Sequence, residues 1–267
     1  MAAVYYLKMK KQTIIMLHGF RGTHHGLALI AQHLPQFNIV VPDLPGFGKG
    51  EVLTDYKLAS YVTWLREFVV SHDFNGLPIL LGHSFGTIVA AAYAAQYPHS
   101  IKKLILVNPI GAPALEGPRA IMTKLAVFYY WVGKKLPRRP AQKWLASPAI
   151  VMIMSVTMTK TKDKQLRAFI HDQHRRYFSR FHSPESVARG FTTSVSSNVR
   201  DFAADIPVPT LIIAGDLDDI TPLAKQHELQ KLFPNARLDV IEDVGHLTHY
   251  ETPAEVAQLV QAFIKRS

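Results

Sequence analysis

The sequence predicts an α/β protein, a mostly parallel, doubly wound sheet with a helical segment inserted into it. Three observations predict this. Short runs that are apolar throughout, rather than alternating, recur along the chain, as expected of parallel strands buried on both faces. Stretches with helical spacing lie between them, giving strand–helix alternation. One contiguous middle segment breaks that alternation and has a composition of its own.

The runs come in order: "TIIMLHG" (Thr13 to Gly19), "NIVVPDLPGFG" (Asn38 to Gly48), "PILLGHS", "IKKLILVNP" and, much later, "PTLIIAGD" and "ARLDVIED". "DYKLASYVTWLREFVVSHD" sets Leu58, Tyr61, Val62, Leu65, Phe68 and Val69 on one helical stripe. "ETPAEVAQLVQAFIKRS" predicts a last helix with Thr252 as N-cap, Pro253 at the first helical position and Glu255 closing a capping box. The predicted organisation is a core formed by residues 1–110 and 207–267, with 111–206 inserted as a helical cap.

With 267 residues and 48% apolar content, the chain can bury one sizeable core, or a core plus a smaller appendage. Cysteine is absent, which excludes a disulfide framework, a thiolate zinc site and a thiol nucleophile. "MAAVYYLKMKKQ" has no apolar stretch of signal-peptide length, and "AIVMIMSVTM" (Ala149 to Met158) is too short to span a bilayer. The expectation is a cytoplasmic protein with no transmembrane segment. The formal net charge of +10 belongs to residues 111–206, which hold 16 Lys and Arg against 6 Asp and Glu. No nucleic-acid signature accompanies that charge, so no nucleic-acid partner is expected. Inside the segment, Ile121, Met122, Leu125, Phe128 and Val132 recur at helical spacing, as do Leu166, Phe169, Ile170, Phe178 and Phe181.

Chemistry enters at "GHSFG", Gly82 to Gly86. A strand that turns directly into a helix needs a tight bend. The two glycines remove side chains that would collide there, and Ser84 sits at the apex with its hydroxyl lifted clear. G-x-S-x-G between strand and helix is a nucleophile elbow, and the following helix aims its N-terminal amides at developing negative charge. A serine at its ordinary pKa is a poor nucleophile, so a base and an orienting acid must follow. "EDVGHLTHYETP" supplies His246, and "LIIAGDLDDITP" supplies Asp216, Asp218 and Asp219, each group just after a predicted strand. No metal site is expected: His171 and His174 have helical spacing without a third ligand, and His24 and His25 are adjacent. "GFGKG" lacks the full phosphate-loop pattern, and no cofactor is expected.

With "LHGF", "VVPDLPGFGKG", "GHSFG", "GDLDDITP" and "VGHLTHYETP" in place, the chain resembles the α/β-hydrolase superfamily, in its cap-bearing, esterase-like and lipase-like branch. The resemblance covers nearly all of the chain outside 111–206. Its usual G-x-x-D-x-x-x-P spacing matches Gly215, Asp218 and Pro222 and selects Asp218 among the three aspartates. Some members carry the acid after the sixth strand instead, where this chain has the uncharged Asn108. The resemblance implies an oxyanion hole from the backbone amides of Phe20 and Phe85, with His18, His83 and Asp43 as bracing groups. Many members open with a longer antiparallel hairpin than "AVYYLKMKKQ" allows.

The implied reaction is hydrolysis of a carboxylic ester or thioester through an acyl-enzyme on Ser84, with Asp218 and His246 completing the triad. A serine at the elbow argues against dehalogenase and epoxide-hydrolase relatives. C–C bond hydrolase, haloperoxidase-like and non-catalytic receptor or scaffold readings stay open. Phe128, Trp131, Met152 and Phe178 are expected to line an apolar acyl pocket in the cap. The basic cap reads first as a solvated helical surface; docking of an acidic carrier, as in the carrier-protein methyl esterases the fold resembles, or of an anionic surface stays open beside it.

Overall fold

A computed structural model describes residues 11–112 and 120–266. Six strands form one sheet: β1 (Thr13–Leu17), β2 (Asn38–Val40), β3 (Ile79–His83), β4 (Lys103–Val107), β5 (Thr210–Gly215) and β6 (Ala236–Ile241). Their order is β2-β1-β3-β4-β5-β6, and every pair is parallel. The hairpin comparison at the N-terminus falls on residues outside those described.

Period-two alternation explains why the central strands are apolar throughout. Ile14, Met16, Ile79, Leu81, Ile105 and Val107 face one layer, formed by α1 (Ala28–Gln32) and α11 (Pro253–Lys265). Ile15, Leu17, Leu80, Leu104 and Leu106 face the other, formed by α2 (Leu58–Ser71) and α3 (Phe85–Gln96). The expectation of two-sided burial fails for β2 and β6, which are only partly buried, because each has a neighbour on one side alone. On α2 the buried face includes Trp64 beside Tyr61, Val62, Leu65 and Val69, while Leu58 and Phe68 are partly buried at its margin.

Thr252 does precede α11, but it makes no side-chain cap; its hydroxyl donates to the Thr248 carbonyl of the preceding turn instead. Glu255 keeps only its place in the first turn, where a negative charge suits the helix dipole. A reciprocal capping box does form between Ser183 and Ser186.

Between β4 and β5 the chain forms α4 (Ala120–Lys135), α5 (Arg138–Leu145), α6 (Pro148–Met158), α7 (Lys164–Tyr177) and α8 (Pro184–Ser196), and α9 (Leu223–Gln230) joins β5 to β6. The helical insertion between β4 and β5 is stitched to the loop after β2 by a bridge between Phe47 and Phe181 and by Gly48 N donating to Arg180 O at 2.7 Å. The side chains of Ile121 and Met122 lie outside those described. Among the described residues, no helix is long and apolar enough to cross a membrane.

The chain leaves β1 for β2 on one side and returns to β3 on the other. The loops after β1 and β3 therefore diverge and open a crevice at the C-terminal edge of the sheet, the place where such folds hold ligands.

Candidate active site

Ser84 stands in that crevice, between β3 and α3. Its backbone has φ +52° and ψ −119°, a region a non-glycine residue occupies only under strain. Packing holds it there. Ser84 N donates to Val107 O at 3.1 Å, and Thr87 N donates to Ser84 O at 2.8 Å. A methyl group on Gly82 would stand 2.5 Å from the Gly86 carbonyl oxygen, and one on Gly86 would strike the Leu17 carbonyl oxygen, so only glycine fits at either position.

His246 lies on the loop after β6, with its Nε2 at 2.8 Å from Ser84 Oγ and its Nδ1 at 2.7 Å from Asp218 Oδ2. The arrangement is complete if the Ser84 hydroxyl donates to Nε2 and Nδ1–H donates to the carboxylate. Asp218, on the loop after β5, has no exposed side-chain surface. Its Oδ1 accepts from Ile220 N at 2.8 Å and Thr221 N at 2.9 Å, and its Oδ2 accepts from the Thr221 hydroxyl and from Asn108 Nδ2 at 2.8 Å. Burial pushes the carboxyl up, but His246 and the Thr221 donors outweigh it and hold the group well below the usual carboxylate range. The expected serine, acid and base therefore meet in one hydrogen-bonded line. Asp216 and Asp219 stand outside it: Asp216 accepts from Val244 N, and Asp219 pairs with Lys160.

The loop after β1 lies against the elbow. A methyl group on Gly19 would be 3.2 Å from Ser84 Cβ, and Gly22 N donates to Gly19 O to close a turn over Phe20 and Arg21. Phe85 is the first residue of α3, so its N–H is among the amides a helix cannot satisfy internally. His18 braces this loop: Nδ1 donates to Gly19 O at 2.9 Å and Nε2 accepts from Leu44 N at 2.8 Å. Burial lowers its pKa to about 4, which keeps it neutral. Asp43 gathers the neighbouring loop by accepting from His24 N and Lys49 N. His83, lowered to about 3 mainly by burial, donates from Nε2 to the His246 carbonyl at 3.1 Å. His249 is buried with its ring 4.0 Å from that of His83, so it is packed beneath the base.

Three groups escaped the sequence reading. Asn108, noted there only for lacking charge, has φ +47° and is wholly buried. Its amide donates to Asp218 while its Oδ1 accepts from the Thr248 hydroxyl at 2.6 Å, tying the acid loop to the base loop. The signal was its place at the end of a central strand. Arg21, next to Phe20, is fully buried with φ +60°. Its guanidinium donates to Leu145 O at 2.7 Å, Phe178 O at 2.8 Å and the Tyr130 hydroxyl at 3.2 Å. Leu145 ends α5 and Phe178 caps α7, so the cation sits where two helices present their unsatisfied carbonyls. The third, Lys160, donates its N–H to Glu251 at 2.8 Å and pairs with Asp219.

The residues expected to line a cap pocket are dispersed. Phe128 and Trp131 stack on each other on the exposed face of α4, because Ala126, Tyr129, Tyr130 and Gly133 supply its inward face. Met152 is exposed on α6, and the Phe178 ring packs on His174. The rings that reach Phe20 are those of Tyr130, Phe191, Phe47 and Phe85. Open clefts of about 560 and 640 Å³, bordered by residues such as Arg66 with Tyr97 and Leu58 with Phe202, contain none of the triad residues.

A family model described as alpha/beta hydrolase fold matches residues 12–253. Lipase 1 of Psychrobacter immobilis is 27% identical over 271 residues, covering 94% of this chain and 76% of its own. The monoacylglycerol lipase ABHD6 of Rattus norvegicus is 27% identical over 261 residues, covering 95% and 75%. Among solved structures, a thermophilic esterase from Thermogutta terrifontis superimposes with a TM-score of 0.77 at 21% identity, covering 96% of this chain and 90% of that one.

Proposed function

We propose a carboxylic ester (or thioester) hydrolase mechanism for this chain, which belongs to the alpha/beta hydrolase fold family and is a hydrolase of the serine type. The observation that carries the assignment of roles is the line Ser84 Oγ, His246 Nε2, His246 Nδ1, Asp218 Oδ2, with spacings of 2.8 and 2.7 Å on a strained serine. Ser84 Oγ attacks the acyl carbonyl carbon and His246 Nε2 takes its proton. Asp218 holds Nδ1–H, fixing the tautomer and stabilising the imidazolium. The oxyanion of the tetrahedral intermediate accepts from the amides of Phe20 and Phe85, preorganised by the Gly19–Gly22 turn and the start of α3. Collapse of the intermediate breaks the bond to the alcohol or thiol, which leaves with the proton from His246. Water, deprotonated by His246, then attacks acyl-Ser84 and releases the carboxylic acid.

The names of the lipase and esterase relatives support an acyl ester as the substrate class. The residues that would line its acyl chain are those around Phe20, namely Tyr130 and Phe191. The cationic surface of the helical insertion is the face offered to an acidic carrier or an anionic surface.

The test is hydrolysis of p-nitrophenyl esters from acetate to palmitate by the wild type and by Ser84→Ala. The reading predicts activity that peaks at one chain length and vanishes in the variant. Turnover unchanged by Ser84→Ala would reject it.

A further inference from the structure

The outward face of α4 is an anomaly for a chain whose core strands bury their apolar side chains completely. Leu125 is 58% exposed, Phe128 59% and Trp131 53%, and Val127 lies beside them. These positions recur at helical spacing, so they form one stripe along the helix. Two aromatic rings stacked in the open are not ordinary scatter of single apolar residues. Met152, Ile153 and Val156 of α6 are exposed as well.

The charge around the stripe is one-sided. From residue 117 to residue 162 the sequence contains no Asp or Glu. Lys124, Lys134 and Lys135 are exposed on α4 itself, and Arg138, Arg139 and Lys143 follow on α5. A run of cations on α4 and α5, unbroken by acids along the sequence, beside exposed Leu, Phe and Trp is the chemistry of a helix that lies in a membrane interface: aromatic and aliphatic side chains enter the acyl boundary and the cations meet anionic headgroups. A second copy of the chain would bring the same cations face to face, and an acidic protein would satisfy the charge but leave the apolar stripe unexplained.

We propose that the exposed face of α4, with Phe128 and Trp131 at its centre and the α4–α5 lysines and arginines as its margin, docks this protein on anionic lipid bilayers. The inference rests on the surface of the insertion and stands independently of the chemistry at Ser84.

The experiment is flotation of the full chain with vesicles of phosphatidylcholine containing 30% phosphatidylglycerol, against vesicles of phosphatidylcholine alone, at about 0.1 M salt. Three proteins are compared: the wild type, Phe128→Ser/Trp131→Ser, and Lys134→Gln/Lys135→Gln. Circular dichroism and size-exclusion chromatography of each, without lipid, report fold and oligomeric state. The expected result is wild-type binding to the anionic vesicles. The aromatic variant loses at least about tenfold, and the lysine variant loses about 30-fold, roughly a factor of five per cation. Binding to neutral vesicles stays weak throughout. Failure of the wild type to float with anionic vesicles overturns the proposal. So does equal binding by a folded aromatic variant, or a lipid-free dimer that Phe128→Ser/Trp131→Ser dissociates, which would assign the face to a second copy.

Discussion

The sheet edge and the helical insertion handle polar groups in opposite ways. At the edge, Asp218, Asn108, His246 and Thr248 are buried and bonded to one another, and each side chain has one workable position. In the insertion, most of the described cations stand in solvent and apolar side chains stand among them. The two regions meet through Arg21 on the ends of α5 and α7, Lys160 on Glu251 and Asp219, Phe20 on Tyr130 and Phe191, and Phe47 on Phe181, among other contacts. Reaction geometry therefore rests on the rigid region, while the face turned outward is left to recognition. Fixing a nucleophile within tenths of an ångström needs a saturated, desolvated network. Meeting a large or variable partner does not.

The largest effect expected is in the edge network. Asp218→Asn should lower kcat on the order of 10⁴-fold with KM much less affected, because the neutral amide no longer selects the His246 tautomer or balances the imidazolium. Steady-state kinetics on a short-chain ester measure it, and a loss below tenfold would break the contrast by making the acid dispensable.

Acid should weaken both regions through histidines that burial keeps neutral. His83 of the edge and His174 of the insertion are lowered to about 3, and His18 to about 4, against an ordinary value near 6.5. Between these limits the unfolded chain binds the extra protons. The stability these groups contribute is therefore complete above about pH 6.5 and lost as pH falls toward 4, by up to about 1.4 kcal/mol per histidine per pH unit. Thermal unfolding followed from about pH 7.5 to 4.5 should show a falling Tm. His83→Gln and His174→Gln should each flatten the fall; a slope reduced by only one of them would show that the regions unfold separately.

Arg21→Met removes the cation from two helix ends and leaves the Leu145 and Phe178 carbonyls without that donor. The expected cost is about 3 kcal/mol, or about 6 °C in Tm, together with a loss in kcat as the Phe20 turn loosens. Arg21→Lys should recover part of the Tm but less of the kcat, since an ammonium cannot reproduce the forked geometry. Equal recovery of both would reduce Arg21 to a purely structural role.

What was legible in the sequence was local. Ser84 announces itself because glycines, strand and helix are contiguous with it, and the four central strands are legible because two-sided burial makes them largely apolar, while the edge strands β2 and β6 are only partly buried. Asn108 and Arg21 were not legible, since their partners lie 110 and 124–157 residues away and only the closed sheet brings them together. The Thr252 capping box failed for a related reason: the preceding turn, α10 (Thr248–Glu251), offers its hydroxyl a nearer carbonyl. The cap aromatics were misplaced because helical spacing identifies a stripe without saying which way it faces; Tyr129, Tyr130 and Gly133 took the inward side of α4.

The smallest kinetic effect belongs to Asn108. Asn108→Ala leaves Asp218 its Ile220, Thr221 and His246 partners but unties the acid loop from Thr248. A drop in kcat of about tenfold and a loss of about 1–2 kcal/mol in stability are expected, read by the same ester assay and by urea unfolding. A kcat unchanged in a destabilised protein would confine Asn108 to holding the fold.

The most direct test of the central claim is intact-mass analysis after treatment with a fluorophosphonate, on the wild type and on Ser84→Ala. The account predicts one covalent adduct on the wild type, mapped to Ser84, and none on the variant. A folded wild type that takes no adduct, or a variant that still takes one, would contradict it.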